Sequence, residues 1–130
     1  MLIHMQLKEA GAKHMNYSSF EQGEIIVAPI PFSSQFSAKI RPALIISKKE
    51  YNNKTEDIIV LKITSKGKDY PFDIELKEKD LTDGKLMHES AIQADFPVVI
   101  EKRSVTQSIG RISNQKLKEV KQKIKELYEL

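Results

Sequence analysis

The stretch that decides the fold is residues 23–47, GEIIVAPIPFSSQFSAKIRPALIIS. It contains two runs rich in apolar and β-branched residues, 24–30 and 43–46, separated by residues that include Ser, Gln and Lys. Short apolar runs that flank a polar segment are typical of paired β-strands. The stretch therefore predicts a β-hairpin with a long loop at its tip.

Arg41 is the most informative side chain of this hairpin, because it comes directly before Pro42. Proline fixes its own φ and pushes the preceding residue toward an extended conformation. We therefore expect the guanidinium to project from the mouth of the hairpin and not from a helix face. A guanidinium stays charged and matches two phosphoryl oxygens at once, which makes Arg41 a candidate phosphate-binding group.

Length and composition indicate one cytoplasmic domain. With 130 residues, of which 40% are hydrophobic, the chain can bury one core. It has no cysteine, which excludes disulfides and thiolate zinc sites and fits a reducing compartment. No apolar stretch approaches the roughly 20 residues of a membrane helix, so we expect neither membrane contact nor export. The net charge is only +3, but residues 102–130 carry eight Lys or Arg against three Glu.

Beyond the hairpin, short apolar runs continue to alternate with polar breaks. The pattern predicts a small antiparallel β-sheet or barrel with strands near residues 25–27, 44–46, 58–63, 72–76, 90–93 and 98–100. Residues 80–84 read as a helical turn closed by glycine. Pro97 is expected at a bulge, a strand start or an edge, since it cannot donate a ladder hydrogen bond.

The two ends of the chain differ from this β pattern. From Ser113 onward the apolar period becomes about 3.6 residues, which predicts a C-terminal amphipathic helix capped by Ser113 or Asn114. Residues 1–20 show no clean periodicity, so we interpret them as an N-terminal extension and residues 21–130 as the domain.

Several motifs occur in a characteristic order: Gly23-Glu24, Arg41-Pro42-Ala43-Leu44, Ile63-Thr64-Ser65, a strand with Ser90, and Ile109-Gly110-Arg111-Ile112 before the helix. Together they resemble the MazF/PemK family of toxin ribonucleases. The resemblance implies a mainly β fold, a small SH3-like β-barrel with a C-terminal α-helix, as in the related CcdB toxins. It also implies a homodimer, inhibition by a cognate antitoxin, and no cofactor.

The activity implied by the resemblance is metal-independent, sequence-specific cleavage of single-stranded RNA or mRNA. In such a reaction the 2′-hydroxyl attacks the adjacent phosphorus and leaves a 2′,3′-cyclic phosphate and a 5′-hydroxyl. The family's catalytic positions fall on Arg41, Thr64 and Asp95. Arg41 would stabilise the phosphorane, Thr64 would donate to the same phosphate, and Asp95 would orient Arg41 or accept the 2′-hydroxyl proton.

Four further residues are predicted to bind RNA. Ser65 follows from its place after Thr64 in the family motif, and Gln93 lies at the end of the predicted strand 90–93. Phe36 and Lys39 belong to the hairpin segment, where an aromatic ring can stack on an unpaired base and a cation can hold phosphates. His88 could shuttle a proton near neutral pH, although a single histidine on a strand is usually structural or at the surface. His4 and His14 share no ligand spacing with it, so no metal site is expected.

The segment Phe96-Pro97-Val98-Val99 departs from the family pattern, since many members have a Gln followed by an Arg-Thr pair there. This difference leaves an alternative open: a non-catalytic barrel toxin or binding module, similar to the gyrase-binding CcdB toxins or a peptide-binding SH3-like domain. A third hypothesis is an RNA-binding barrel that uses the lysine-rich C-terminal end.

Overall fold

The computed structural model describes residues 18–31, 37–65, 70–86 and 88–130. The α-helices of this part are α1 (Lys49–Lys54) and α2 (Asn114–Tyr128). Its seven strands are β1 (Glu24–Pro31), β2 (Ala38–Ile45), β3 (Asp57–Ser65), β4 (Asp73–Leu76), β5 (Leu81–Gly84), β6 (Ser90–Glu101) and β7 (Gln107–Ile112). No helix in these ranges is long and apolar enough to cross a membrane.

The strands form one antiparallel sheet in the order β4-β6-β3-β2-β1-β7-β5. Side chains from both edge strands meet in one apolar cluster, with Ile74 and Leu76 of β4 buried in it and Leu81 of β5 packed against it. The sheet must therefore curl around this cluster, as in an SH3-like barrel. The predicted fold class, mainly β with a C-terminal helix, is confirmed.

The terminal helix α2 closes one side of this cluster. The Ser113 side chain caps the helix by accepting a hydrogen bond from the Lys116 backbone N–H at 3.1 Å. Val120 is fully buried, and Leu117 and Ile124 pack beside it. The predicted 3.6-residue stripe thus covers the curled sheet.

The first hairpin is longer than the sequence predicted, and its loop is shorter. Pairing of β1 with β2 runs from Ile25↔Leu44 to Pro31↔Ala38, so Arg41 lies within β2 opposite Ala28. The prediction of a long loop over residues 32–40 was wrong at its end, because residues 38–40 belong to β2. Residues 37–40 are exposed, and an exposed ribbon needs no apolar alternation to continue its backbone hydrogen bonds.

The prediction of a helical turn over residues 80–84 was also wrong. A 3₁₀ turn spans Glu78–Asp80, and the residues after it form strand β5, which pairs with β7. Gly84 has φ +92°, and a Cβ there would lie 2.0 Å from the Ile109 carbonyl oxygen. The glycine serves close backbone approach between two strands, and such an approach depends on a partner distant in sequence.

Strand β6 contains a wide irregularity opposite Lys62. β6 pairs with β3 at Ile63↔Ile92 and again at Leu61↔Pro97, so residues 93–96 of β6 lie opposite a single residue of β3. Pro97 borders this bulge, as predicted. The Lys62 ammonium lies 4.0 Å from the centroid of the Phe96 ring, which gives the bulge a cation–π contact.

A buried asparagine joins the residues before β1 to the connection between β2 and β3. Asn52 of α1 is 0% exposed and donates to the carbonyl oxygens of Phe20, at 2.6 Å, and Ser47, at 3.0 Å. Its own carbonyl Oδ1 accepts the Ser47 hydroxyl at 2.5 Å. Phe20 in turn packs on a second apolar cluster, which includes Ile26, Ile45 and Ile58.

Candidate functional site

A cavity of about 580 Å³ opens between β2 and β3. Its polar lining residues are Arg41, Thr64, Ser65, His88, Ser90 and Gln107. Its apolar lining residues are Val27, Pro42, Ile63, Leu86 and Ile109. The cavity therefore combines one cation, several hydroxyl and amide groups and one imidazole with an apolar wall.

The separation of β2 from β3 explains why the cavity lies there. Their last pair in this direction is Ala43↔Lys62, and the next residue of β2 is Pro42, which has no N–H to extend the ladder. Arg41 and Thr64 lie two residues beyond that pair on their respective strands. Because side chains alternate along a strand, both leave the sheet on the same face.

The opposite wall of the cavity is built around the first pair of β6. Ser65 pairs with Ser90, and the buried Ser90 donates its hydroxyl proton to the His88 carbonyl oxygen at 3.0 Å. This hydrogen bond ties the connection before β6 to the sheet. His88 is exposed and lines the cavity.

Arg41 belongs to a cluster of charged residues around Lys62. Burial lowers the pKa of Lys62 below its ordinary value, and the positive charge of Arg41 lowers it further. The carboxylates of Asp95 and Asp73 act on Lys62 in the opposite direction. We call these four residues the mixed-charge cluster. Lys62 therefore experiences the charges of Arg41 and of both carboxylates.

The predicted site residues thus fall into separate groups. Arg41, Thr64 and Ser65 line the same cavity. Asp95 belongs to the mixed-charge cluster and does not line the cavity. Lys39 is exposed on β2, two residues before Arg41.

Gln93 and Phe36 complete the predicted set. Gln93 pairs with Asp73 across β6 and β4, and its side-chain oxygen is buried without a hydrogen bond from the described residues. Phe36 lies outside the described residues. Both were predicted to bind RNA. Of the two, Gln93 is a described residue, and it does not line the cavity described above.

Sequence reasoning gave little weight to three cavity residues. In the sequence His88 is a single histidine without a ligand partner, Ser90 indicates only a strand, and Gln107 belongs to no motif. The tertiary structure brings these three residues together, because the segment before β6 and the start of β7 both reach the cavity between β2 and β3.

The cavity suits an anion more than a metal ion. The described residues contain no group of three or more His, Asp or Glu side chains arranged to hold a metal. Arg41 offers a planar charged donor, and the hydroxyls of Thr64 and Ser65 lie on the facing strand. Such donors match the oxygens of a phosphate group.

Comparison with known protein families identifies one family that the chain matches. A sequence model of the PemK-like, MazF-like toxins of type II toxin–antitoxin systems matches residues 21–128. The chain belongs to this family. The resemblance deduced from the Arg41-Pro42 and Thr64-Ser65 motifs is therefore confirmed. No curated protein matches the chain significantly.

Solved structures of this toxin family share the fold. A mycobacterial endoribonuclease in complex with its cognate antitoxin has a TM-score of 0.69 at 14% identity, covering 85% of this chain and 95% of that one. MazF from Deinococcus radiodurans has a TM-score of 0.64 at 25% identity, covering 85% and 96%. The MazE–MazF complex of D. radiodurans has a TM-score of 0.68 at 23% identity, covering 85% and 96%. The family membership and these neighbours support the enzyme class that the sequence predicts.

Proposed function

We propose that this MazF-like toxin is an endoribonuclease that cleaves single-stranded RNA, including mRNA, at the cavity between β2 and β3. The observation that carries the proposal is that Arg41 and Thr64, distant in sequence, line one cavity from facing strands. The substrate supplies its own nucleophile, the 2′-hydroxyl, so the protein has to bind the phosphate and assist proton transfer. No cofactor is required for either task.

Arg41 acts on the phosphate in this mechanism. As the 2′-oxygen attacks phosphorus, negative charge grows on the non-bridging oxygens, and the guanidinium donates to them in the transition state. Thr64 donates to the same oxygens from the facing strand. Cleavage leaves a 2′,3′-cyclic phosphate on one product and a 5′-hydroxyl on the other.

Asp95 is proposed to orient Arg41 and not to take part in proton transfer at the cavity. Both residues act electrostatically on Lys62, so they share one local charge arrangement. A carboxylate in such a cluster offsets the repulsion between the two cations and restricts where Arg41 points.

RNA outside the scissile phosphate would follow the exposed end of the first hairpin. Lys39 is exposed on the same face of β2 as Arg41 and is proposed to hold a neighbouring phosphate. Ser65 is proposed to hold the RNA at the cavity itself. Phe36 and Gln93 keep their predicted RNA-binding roles as part of this proposal.

A homodimer and a cognate antitoxin belong to the same proposal, with the cytoplasm as the place of action. The antitoxin part is supported by the mycobacterial endoribonuclease, whose structure contains its cognate antitoxin. An acidic antitoxin segment would offer carboxylates to the same cations that otherwise hold phosphates. Binding of antitoxin and of RNA should then exclude each other.

Cleavage is expected to persist in EDTA and to require a 2′-hydroxyl at the cut site. The physical reason is that the nucleophile belongs to the RNA, so the reaction needs no metal-bound water. The measurement is gel and mass analysis of products from a mixed-sequence RNA with excess EDTA. The cut sites found are then tested in oligonucleotides carrying a single 2′-deoxy residue.

The deoxy-substituted oligonucleotide serves as the matched control and should remain intact. Products with 5′-phosphate ends, or activity that EDTA removes, would contradict the mechanism. A chain that cuts no RNA but inhibits a topoisomerase would instead support the CcdB-like alternative.

A further inference from the structure

His88 lines the same cavity as Arg41 and Thr64, although it lies in the connection between β5 and β6. We propose that His88 is the general acid of the reaction and protonates the departing 5′-oxygen. This assignment rests on the proposed ribonuclease function and adds the catalytic group that the Arg41 and Thr64 pair lacks.

The chemical types of the lining side chains support the assignment. A guanidinium holds its proton too tightly to transfer it, and hydroxyl and amide groups are weak acids. Imidazole is the side-chain type that both gives and takes a proton near neutral pH. Among the described residues that line the cavity, His88 is the only one of this type, and none is a carboxylic acid.

The position of Asp95 strengthens this argument. Asp95 is the carboxylate that the family pattern offers for proton transfer, yet it does not line the cavity with Arg41 and Thr64. Its charge acts on Lys62 within the mixed-charge cluster. Proton transfer at the cavity therefore requires a different residue, and His88 lines the cavity.

The backbone before β6 holds His88 near the phosphate-binding residues. The Ser90 hydroxyl, which is buried, donates to the His88 carbonyl oxygen at 3.0 Å. Ser90 is also the ladder partner of Ser65, which follows Thr64 on β3. Two residues of chain span at most about 7 Å, so the imidazole is tethered close to the hydroxyl wall of the cavity.

The proposed step conserves atoms and charge. The 2′-oxygen forms a bond to phosphorus, and its proton passes to solvent water. The bond between phosphorus and the 5′-oxygen breaks, its electron pair stays on that oxygen, and the His88 imidazolium supplies the proton. The products are the cyclic phosphate and a 5′-hydroxyl, and the imidazole regains a proton from solvent.

A change of leaving group tests this role directly. His88→Gln keeps a polar side chain but cannot transfer a proton, so cleavage of ordinary RNA should slow by about 10²–10³-fold. In an oligonucleotide whose 5′-bridging oxygen at the cut site is replaced by sulfur, the thiolate departs without a proton because thiols are far more acidic than alcohols. The variant should then cleave within a few-fold of wild type.

Two controls separate this role from others. Arg41→Ala should be slow on both substrates, because the phosphorane carries the same charge in each. His14→Gln, a histidine change outside the described residues, should match wild type on both. The thermal unfolding midpoint of His88→Gln should stay close to that of wild type, since the side chain is exposed.

The alternative outcomes are distinct. A folded His88→Gln protein that is equally slow on both substrates, or as active as wild type on ordinary RNA, would overturn the assignment to the general acid. A wild-type chain that cleaves neither substrate would overturn the proposed ribonuclease function itself, and the assignment with it.

Discussion

Arg41→Ala is expected to reduce the rate of RNA cleavage by about 10²–10³-fold or more while leaving the protein folded. The substitution removes the only guanidinium among the described residues that line the cavity. Folding should survive because Arg41 belongs to neither of the two apolar clusters. The measurement is single-turnover cleavage of an oligonucleotide with one cut site, together with circular dichroism and thermal unfolding.

Arg103→Ala is the matched control, since Arg103 is an exposed arginine on the 3₁₀ turn after β6 and pairs only with Glu101 among the described residues. It should cleave at the wild-type rate. Arg41→Lys retains the charge but loses the planar fork, so intermediate activity is expected. Full activity in Arg41→Ala would remove the basis of the proposed function.

Asn52→Ala is expected to lower the free energy of unfolding by about 2–4 kcal/mol, the largest stability effect that we anticipate from a polar side chain. The change leaves the carbonyl oxygens of Phe20 and Ser47 and the Ser47 hydroxyl without the amide that now joins them. Asn52 is fully buried, so water cannot readily replace these hydrogen bonds. Equilibrium unfolding in urea measures the effect.

Asn53→Ala provides the comparison within the same helix, because Asn53 is exposed. Its free energy of unfolding should change by less than about 0.5 kcal/mol. If the two alanine variants were equally stable, the hydrogen-bond cluster around Asn52 would contribute nothing to the fold. The cavity residues are not in this cluster, so folded Asn52→Ala protein should still cleave RNA.

The sequence allowed the class of the fold to be predicted from local patterns. Strand β3 and helix α2 are each recognisable from an apolar pattern over a short stretch of neighbouring residues. The Ser113 cap and the bulge at Pro97 follow from single-residue chemistry in the same way. Such segments predict their own burial against a partner element, because each presents one apolar face.

Prediction failed where pairing did not depend on an apolar pattern. Residues 37–40 are exposed yet belong to the β1–β2 ribbon or border it, so their polar composition resembled a loop. Strand β5 holds one half-buried leucine and depends on close approach of Gly84 to Gly110. Neither feature could be deduced without knowing which strand lies alongside.

The sequence alone determined the two halves of the candidate site, because Arg41-Pro42 and Thr64-Ser65 are local motifs with a recognisable order. Only the tertiary structure decided that Asp95 acts electrostatically on Lys62 and that His88 lines the cavity. The physical reason is that the cavity exists where β2 and β3 separate, and the residues around it come from strands that meet through long-range pairing.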